Sequence, residues 1–213
     1  MFTIALVEDH VFVRRAFKHF ISEICNCRVI AEASNGKELL DSFDSIQLNP
    51  DIVLTDVQMP VMDGKKLARE LTVHYPQIKT IAISALCNEY NMIDMFRAGA
   101  RGFISKHTEQ EQFTLAVATV MNNDYYFSDA AGNILSTDYL KQAAGMKTSL
   151  TEKELYFVKL SLSDLPYKSI ADEMHISTRT VDAHRDNVFK KLNIRNRTGL
   201  FLYALKKGLI DTW

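Results

Sequence analysis

A short apolar run that ends in a carboxylate constrains the fold of this chain more than any other stretch. Ile52, Val53 and Leu54 follow one another without a polar interruption and lead through Thr55 into Asp56. Such a run is typical of a parallel strand that is buried on both faces, rather than of a strand with one solvent-facing side. Parallel sheets carry their functional groups at the carboxyl ends of the strands. The sequence therefore predicts that Asp56 lies at an open edge of a sheet.

The alternation of an apolar strand and an amphipathic helix occurs five times in the first part of the chain. The predicted strands cover residues 3–7, 29–33, 52–56, 80–84 and 103–105, and apolar residues at helical spacing follow each of them. Repeated βα units favour a parallel sheet with helices on both faces. We therefore expect an α/β, doubly wound, five-stranded parallel domain over residues 1–124.

Polar residues stand where four of the predicted strands end. They are Glu8, Asp9, Asp56, Ser84 and Lys106. Three carboxylates at one edge repel each other unless a cation bridges them, and Mg²⁺ is the hard divalent cation that suits their oxygen atoms. In this hypothesis Asp9 and Asp56 bind Mg²⁺, and Glu8 orients a metal-bound water. Lys106 and Ser84 contact phosphoryl oxygens, which leaves Asp56 as an in-line nucleophile and predicts an aspartyl phosphate.

These positions and their neighbours resemble the receiver domain of bacterial two-component response regulators. The resemblance is carried by Glu8-Asp9, Asp56 with Met59-Pro60 and Asp63-Gly64, Ser84-Ala85, and Gly102 to Lys106. It covers roughly residues 1–122. It implies a flavodoxin-like fold, phosphorylation of Asp56 by a sensor histidine kinase, and Mg²⁺ bound by Asp9, Asp56 and the Gln58 carbonyl. It also implies that Ser84 and Phe103 form a switch pair, whose ring turns when the hydroxyl moves to the phosphoryl group.

Two other classes of protein also place an aspartate on an α/β sheet. Phosphohydrolases of the haloacid dehalogenase class use an aspartyl nucleophile with Mg²⁺, but a second Asp follows two residues later, where this chain has Gln58. A phosphorylation-independent adaptor is expected to lack one of the phosphate-site residues, whereas this chain has Asp56, Lys106 and the acidic pair Glu8-Asp9. The sequence therefore favours a regulated binding protein over an enzyme.

The charge of the chain changes sign towards its end. Residues 1–147 carry 14 Lys and Arg against 18 Asp and Glu, a net charge of −4, whereas residues 148–213 carry 11 against 8, a net charge of +3. A basic terminal domain points to an anionic partner such as nucleic acid. Residues 125–147 lack a sustained period and are predicted to be a linker, with residues 125–127 ending the last helix of the first domain by packing on it.

The strand signal disappears after the linker, and an all-α domain of four helices is predicted for residues 148–213. Thr151 and Glu154 are predicted to form a capping box at the start of the first helix. The core face of this helix is predicted to be Leu155, Val158 and Leu162. A tight turn and the N-cap residue Ser177 separate the second helix from the third, which spans residues 178–192. Two helices joined by a short turn, the second with a basic exposed face, form a helix-turn-helix pattern.

This region resembles the LuxR-type DNA-binding domain over residues 148–211. The resemblance rests on Leu150-Thr151 with Glu154, Ile170-Ala171, residues 176–185 (ISTRTVDAHR), Lys191-Leu192, Arg197-Thr198 and Gly208-Leu209-Ile210. With the receiver it implies the NarL/FixJ subfamily, in which the last helix, here near residues 197–207, forms the homodimer contact on double-stranded DNA. RNA polymerase is a candidate further partner. The residues predicted to contact DNA are Thr178, Arg179, Thr180, Asp182, Ala183, His184, Arg185, Asp186, Lys190 and Lys191.

The charges of the third helix predict two kinds of DNA contact. Asp182 and Asp186 lie where relatives often place base-reading residues, and a carboxylate in the major groove can accept a hydrogen bond from cytosine N4. Lys190 and Lys191 are predicted to contact phosphates, which supply affinity without sequence information. One alternative for this region is a helical module with a solvated basic face, and another is a sigma-factor-type helix-turn-helix, which would not bring a receiver domain with it. The alternative for Asp182 is a solvated helix charge turned toward Arg179 or Arg185.

Cysteine content and hydropathy predict a soluble, cytoplasmic protein without a membrane partner. Cys25, Cys27 and Cys87 are odd in number and lack the spacing of a metal site, so we expect reduced thiols. The sequence shows neither the pattern of a signal peptide nor an apolar run of 18 residues.

Overall fold

The computed structural model describes residues 1–24, 26–46, 49–123, 125–127, 150–163, 165–192, 194, 197–207 and 209. The chain divides into two compact units, and the division lies in the interval between Phe127 and Leu150. Most of the predicted linker, residues 125–147, lies outside the described residues. Within the described part of the chain, no helix is both long enough and apolar enough to cross a membrane.

The first unit is a parallel sheet with helices on both faces. Its strands are β1 (Phe2–Val7), β2 (Cys27–Ala33), β3 (Ile52–Asp56), β4 (Lys79–Ser84), β5 (Gly102–Ser105) and β6 (Tyr126–Phe127). Its helices are α1 (Val11–Ser22), α2 (Gly36–Ile46), α3 (Gly64–His74), α4 (Glu89–Arg97) and α5 (Gln110–Met121). All strand pairs are parallel, in the order β2-β1-β3-β4-β5-β6. The order of the first five strands is that of the flavodoxin-like doubly wound fold, which confirms the predicted fold class.

The central strand β3 is covered on both faces, as its unbroken apolar run predicts. All five of its residues are buried. Ile52 and Leu54 belong to the core cluster formed with α1 and α5, whereas Val53 belongs to the cluster formed with α2 and α3. Because successive side chains point to opposite faces of a strand, both faces of β3 have to be apolar.

A sixth strand corrects the five-strand prediction. Residues 125–127 do not end the last helix by packing on it, because Tyr126–Phe127 forms β6 beside β5. The Tyr126 amide donates a hydrogen bond to the Arg101 carbonyl at 2.9 Å. The Phe127 ring packs on Phe96 of α4, with the ring centroids 4.7 Å apart. Aromatic residues favour strands, and here they extend a sheet whose edge would otherwise be open.

The second unit is helical, as predicted. Its helices are α6 (Glu152–Ser161), α7 (Tyr167–Glu173), α8 (Thr178–Leu192) and α9 (Arg197–Lys206). Thr151 and Glu154 form the complete capping box at the start of α6. At the start of α8, the Thr180 amide donates to Ser177 Oγ at 3.2 Å, which confirms Ser177 as the capping residue.

Helices α6, α7, α8 and α9 pack around one small core. Three apolar residues of α8 are buried, as their spacing predicts: Val181, Val188 and Leu192. The predicted core face of α6 is partly wrong, because Phe157 and Val158 are fully buried while Leu155 and Leu162 are half-buried. The Phe157 ring stacks on Tyr167 of α7 with centroids 6.4 Å apart, so the larger ring occupies the space between the two helices.

Gly64, the first residue of α3, is expected to tolerate no side chain. A Cβ atom there would lie 2.1 Å from the Asp56 carbonyl oxygen, which is a backbone atom. Gly36, the first residue of α2, is a matched control, since its Cβ would meet the flexible side chain of Met62 at 2.8 Å. We expect Gly64→Ala to lower the free energy of unfolding of the first unit by about 3 kcal/mol, and Gly36→Ala by about 1 kcal/mol. Urea-dependent hydrogen exchange in β3 peptides measures both losses, and equal losses would contradict the close approach at Gly64.

The buried carboxylate of Glu154 makes the second unit sensitive to acid. Burial alone would raise the pKa of Glu154, but hydrogen bonds from Lys191 and Thr151 outweigh burial and lower the pKa below the ordinary glutamate value. The carboxylate therefore stabilises the unit above the pKa of the unfolded chain, about 4.3, and this stabilisation is lost as the pH falls through the folded-state pKa.

Glu154→Gln is accordingly expected to weaken the loss of stability in acid. At neutral pH it should lower the free energy of unfolding by about 1–3 kcal/mol, because Lys191 loses its charged partner. Urea unfolding at a series of pH values, followed by hydrogen exchange in α6 and α8 peptides, measures this. Glu152→Gln changes an exposed glutamate in the same turn and serves as the control. A variant at Glu154 that keeps the wild-type pH profile would rule out this carboxylate as the acid-sensitive group.

Candidate functional site

The sheet order brings the predicted polar residues to one edge. Strands β1, β3, β4 and β5 are consecutive neighbours and parallel, so their carboxyl ends lie side by side. Asp56 ends β3 and Ser84 ends β4, while Glu8 and Lys106 directly follow β1 and β5. Four strands therefore contribute to one edge of the sheet, where ligand sites of parallel sheets are found.

Lys106 joins two of the carboxylates. Its Nζ lies 2.9 Å from Asp56 Oδ2 and 2.6 Å from Glu8 Oε2. Burial lowers the pKa of Lys106, but the hydrogen bonds and ion pairs with Glu8 and Asp56 outweigh burial and raise the pKa above its ordinary value. The charged lysine offsets one of the three negative charges of Glu8, Asp9 and Asp56. The cluster keeps two negative charges in excess, which a divalent cation would balance.

The Asp56 side chain is oriented by its own loop. Asp56 Oδ1 accepts a hydrogen bond from the Val57 amide at 2.8 Å, and the residue is 8 % exposed. The Gly64 amide donates to the Val57 carbonyl at 3.1 Å, so the start of α3 packs directly behind this turn. The other carboxylate oxygen, Asp56 Oδ2, contacts Lys106 Nζ. The carboxylate is thus held in one orientation at the sheet edge.

His10 lies beside the acidic pair Glu8-Asp9, although the sequence favours a role in opening the first helix over metal binding. His10 Nδ1 is 2.9 Å from Asp9 Oδ1 and 3.2 Å from Glu8 Oε1. One ligand atom from each of these three residues lies within 4.8 Å of the others. His10 also occupies the N-cap position of α1, where its side chain makes no capping hydrogen bond. Its position next to Asp9 in the sequence could have indicated a place in the acidic site. A residue that only opens helix α1 would have the same position, so the sequence could not distinguish the two roles.

Three further predicted residues lie apart from these ion pairs. Gln58 is exposed, two residues beyond Asp56. The Ser84 hydroxyl donates to the Leu86 carbonyl at 2.9 Å and accepts from the Leu86 amide at 3.1 Å, so it is turned into its own loop. Phe103 is fully buried. In this conformation the predicted switch pair has its hydroxyl engaged with Leu86 and its ring in the core.

The residues predicted to contact DNA lie on α8. Eight of them are exposed: Thr178, Arg179, Thr180, Asp182, Ala183, Asp186, Lys190 and Lys191. His184 and Arg185 are half-buried. Helical periodicity therefore identified the solvent-facing side of α8 for most of the set.

Arg185 pairs with both acidic residues of α8. Its guanidinium lies 3.0 Å from Asp182 Oδ1, one turn towards the start of the helix. It also donates from Nε and Nη2 to Asp186 Oδ1, at 3.0 and 2.9 Å. The same guanidinium lies over the Tyr167 ring, 5.6 Å from the centroid. For Asp182 the sequence left two possibilities open, a base contact or a solvated helix charge turned toward Arg179 or Arg185, and the structure shows the contact with Arg185.

The two lysines near the end of α8 differ in their surroundings. Lys191 Nζ lies 2.8 Å from Oε2 of the buried Glu154, so its charge is offset within the unit. Lys190 is exposed and has no ion-pair partner among the residues that the structure describes. A DNA phosphate would therefore have to compete with Glu154 for Lys191 but not for Lys190.

Known protein families match both units. The response regulator receiver domain matches residues 4–118, and the luxR family of bacterial regulatory proteins matches residues 148–204. The oxygen regulatory protein NreC of Staphylococcus epidermidis is 27 % identical over 217 residues, which cover 98 % of this chain and 99 % of NreC. The similarity thus extends across both units.

Solved structures of RcsB share the fold. A structure of two RcsB dimers bound to two parallel DNAs has a TM-score of 0.55 at 18 % identity and covers 95 % of this chain and 96 % of that chain. RcsB from Salmonella enterica serovar Typhimurium, bound to a promoter with the phosphomimetic BeF3−, has a TM-score of 0.54 at 18 % identity and covers 97 % of this chain and 98 % of that chain. The receiver match alone spans more than half of the chain. The chain therefore belongs to the response regulators of the NarL/FixJ type, which are phosphorylation-controlled transcriptional regulators with a receiver domain and a LuxR-type DNA-binding domain.

Proposed function

We propose that Asp56 accepts the phosphoryl group that controls this regulator, and that a sensor histidine kinase supplies it. The observation that carries the proposal is the Asp56 carboxylate at the carboxyl edge of the sheet, 2.9 Å from Lys106 Nζ, which also lies 2.6 Å from Glu8. In the transfer, an Asp56 oxygen forms a bond to phosphorus while the bond from phosphorus to the kinase's histidine nitrogen breaks. That nitrogen keeps the electron pair of the broken bond.

Lys106 and Ser84 are proposed to hold the phosphoryl oxygens. Lys106 is charged and already adjacent to Asp56, so one of its three donors can turn to a phosphoryl oxygen. Ser84 has to release the Leu86 carbonyl before its hydroxyl can donate to a second oxygen. We propose that this movement is the switch, and that the buried Phe103 ring responds to the space that Ser84 leaves.

The acidic cluster fits Mg²⁺. Its donors are carboxylate oxygens, which hard cations prefer, and its two excess negative charges match the charge of the ion. Asp9 and Asp56 are the proposed ligands, together with the backbone carbonyl of Gln58, while Glu8 is proposed to orient a metal-bound water. When bound there, Mg²⁺ supplies positive charge that offsets the charge of the phosphoryl oxygens.

We propose a regulator that is not an enzyme acting on a separate substrate. Gln58 occupies the position where phosphohydrolases of the haloacid dehalogenase class place an acid–base aspartate. A glutamine amide cannot take up and release a proton in that role.

Phosphorylation of Asp56 is testable with a small phosphoryl donor. The full chain incubated with acetyl phosphate and Mg²⁺ should gain the mass of one phosphoryl group, and the gain should disappear in Asp56→Asn or with excess chelator. Intact-mass spectrometry measures the gain. Asp63→Asn is the matched control, because Asp63 lies in the same loop and caps α3, a role that asparagine also performs. An undiminished mass gain in Asp56→Asn would exclude Asp56 as the acceptor.

For the second unit, we propose that α8 enters the major groove of double-stranded DNA as the recognition helix of a homodimer. The RcsB dimers on DNA support this assembly. The exposed residues of α8 would make the contacts, with Asp182 and Asp186 on bases and Lys190 on phosphate, and α9 would form the dimer contact on DNA.

RNA polymerase is a proposed further partner. We propose that the protein acts in the cytoplasm, where DNA is accessible, and that it has no membrane partner.

A two-fold dimer predicts a fixed spacing of half-sites. The phosphorylated full chain should bind best when two half-sites lie about 10 bp apart, because two recognition helices then enter successive major grooves. Gel shifts on duplexes whose spacing differs by a few base pairs measure this, with Asp56→Asn as the control that cannot be phosphorylated. Equal affinity at every spacing would argue for independent monomers.

A further inference from the structure

Two carboxylates on α8 share one guanidinium. Asp182 and Asp186 are four residues apart, so they lie on the same face of the helix, one turn from each other. Arg185 contacts both, at 3.0 Å and 2.9 Å. An acidic pair on a helix that faces a polyanion is unfavourable by Coulomb's law, and the arginine offsets half of its charge.

The Arg185 side chain is less exposed to solvent than the two carboxylates that it contacts. Its side chain is 32 % exposed, compared with 52 % for Asp182 and 69 % for Asp186. The guanidinium lies over the Tyr167 ring, which itself stacks on the buried Phe157 ring. The planar cation is therefore fixed against the core of the unit, while the carboxylates point further into solvent.

One oxygen of Asp182 and one of Asp186 have no hydrogen-bond donor among the described residues. Both residues use Oδ1 for Arg185, and Oδ2 of neither accepts a hydrogen bond within the described part of the chain. A carboxylate oxygen that is exposed, oriented and without a donor can accept from the N4 amino group of cytosine in the major groove. Adenine also offers an amino donor there, but its N7 acceptor lies next to it and repels a carboxylate.

We propose that Arg185 is a positioning residue for base specificity: it holds Asp182 and Asp186 so that their free oxygens accept from cytosine N4. In this role Arg185 contacts neither a phosphate nor a base, which differs from the direct DNA contact that the sequence predicts for it. This inference rests on the proposed role of α8 in DNA recognition and adds the base that the helix selects and the residue that orients the readers. A site that this protein binds should contain cytosine at the positions facing these two carboxylates.

The opposite assignment, with Arg185 on a phosphate or a guanine, requires more rearrangement. The guanidinium would have to leave two carboxylates and the Tyr167 face, and both carboxylates would then stand unpaired beside the phosphate backbone. Lys190 on the same helix is exposed and without an ion-pair partner in the described residues, so it can reach a phosphate with no such loss.

The experiment measures base preference and salt dependence together. A binding site is first selected from random duplexes with the phosphorylated full chain, and every single-base variant of that site is then assayed at several salt concentrations. The proteins are wild type, Arg185→Gln, Arg185→Lys, Asp182→Ala/Asp186→Ala, the triple variant with Arg185→Gln, and Lys190→Ala as the phosphate-contact control. Thermal unfolding of each variant verifies that the second unit is folded, and Arg185→Lys keeps the charge if Arg185→Gln fails to fold.

If Arg185 positions the carboxylates, both Arg185 variants lower the preference for cytosine about tenfold at the affected positions. The slope of log K against log salt stays that of the wild type in Arg185→Gln, whereas it falls by about one in Lys190→Ala. In the background that lacks both carboxylates, Arg185→Gln changes base preference no further.

Three results would overturn the inference. A slope reduced by about one in Arg185→Gln with base preference intact would make Arg185 a phosphate contact. A loss of guanine preference that persists without the carboxylates would make Arg185 a base reader. A wild-type chain that selects no sequence from the random duplexes would also refute it, and that result alone would count against the proposed DNA-binding role of α8.

Discussion

The ammonium of Lys106, placed between Asp56 and Glu8, is the interaction on which the site of the first unit depends. Both carboxylates are nearly buried, at 8 % and 1 % exposure, and they come from strands that lie next to each other in the sheet. Breaking such a buried pair by removing one partner costs about 3–5 kcal/mol, because a buried charge is left without compensation. The strand order β1-β3-β4-β5 is what allows a residue after the last of these strands to reach carboxylates on the first two. The fold therefore brings the carboxylates together and also places Lys106 where its positive charge stabilises them.

The long strands could be predicted because their apolar runs are long enough to show a pattern. β6 could not, since two residues have no period, and the aromatic character of Tyr126 and Phe127 is equally consistent with packing against a helix. β6 lies beside the strand that leads to the proposed phosphorylation site. β5 carries the buried Phe103 and precedes Lys106, and Phe103 pairs in register with Phe127 of β6. The strand next to the proposed phosphorylation site is thus hydrogen-bonded to the last described strand of the first unit.

The identity of the charged residues at the site followed from strand ends and helical spacing, but their pairing did not. Helical neighbours three or four apart offer several partners of similar energy: Asp182 could pair with Arg179 or Arg185, and Asp186 with Lys190. The structure selects Arg185 for both carboxylates. The reason is tertiary, because Tyr167 of α7 holds the guanidinium in place. A pattern within one helix cannot include a ring that another helix contributes.

The two sites arrange their charges in a related way, although the energies differ. Ion pairs at exposed positions contribute about 0.2–1 kcal/mol, so the contacts of Arg185 with Asp182 and Asp186 add little to the stability of the second unit. Their effect is to hold the three side chains in one conformation. A long charged side chain loses about 2 kcal/mol of rotamer freedom when it is fixed, and here that loss occurs in the free protein rather than during binding. At the proposed phosphorylation site, Lys106 is likewise fixed beside Asp56. In both units, a cation anchored in the structure holds carboxylates in the geometry that the proposed chemistry requires, and this preorganisation reduces the entropy lost when the partner binds.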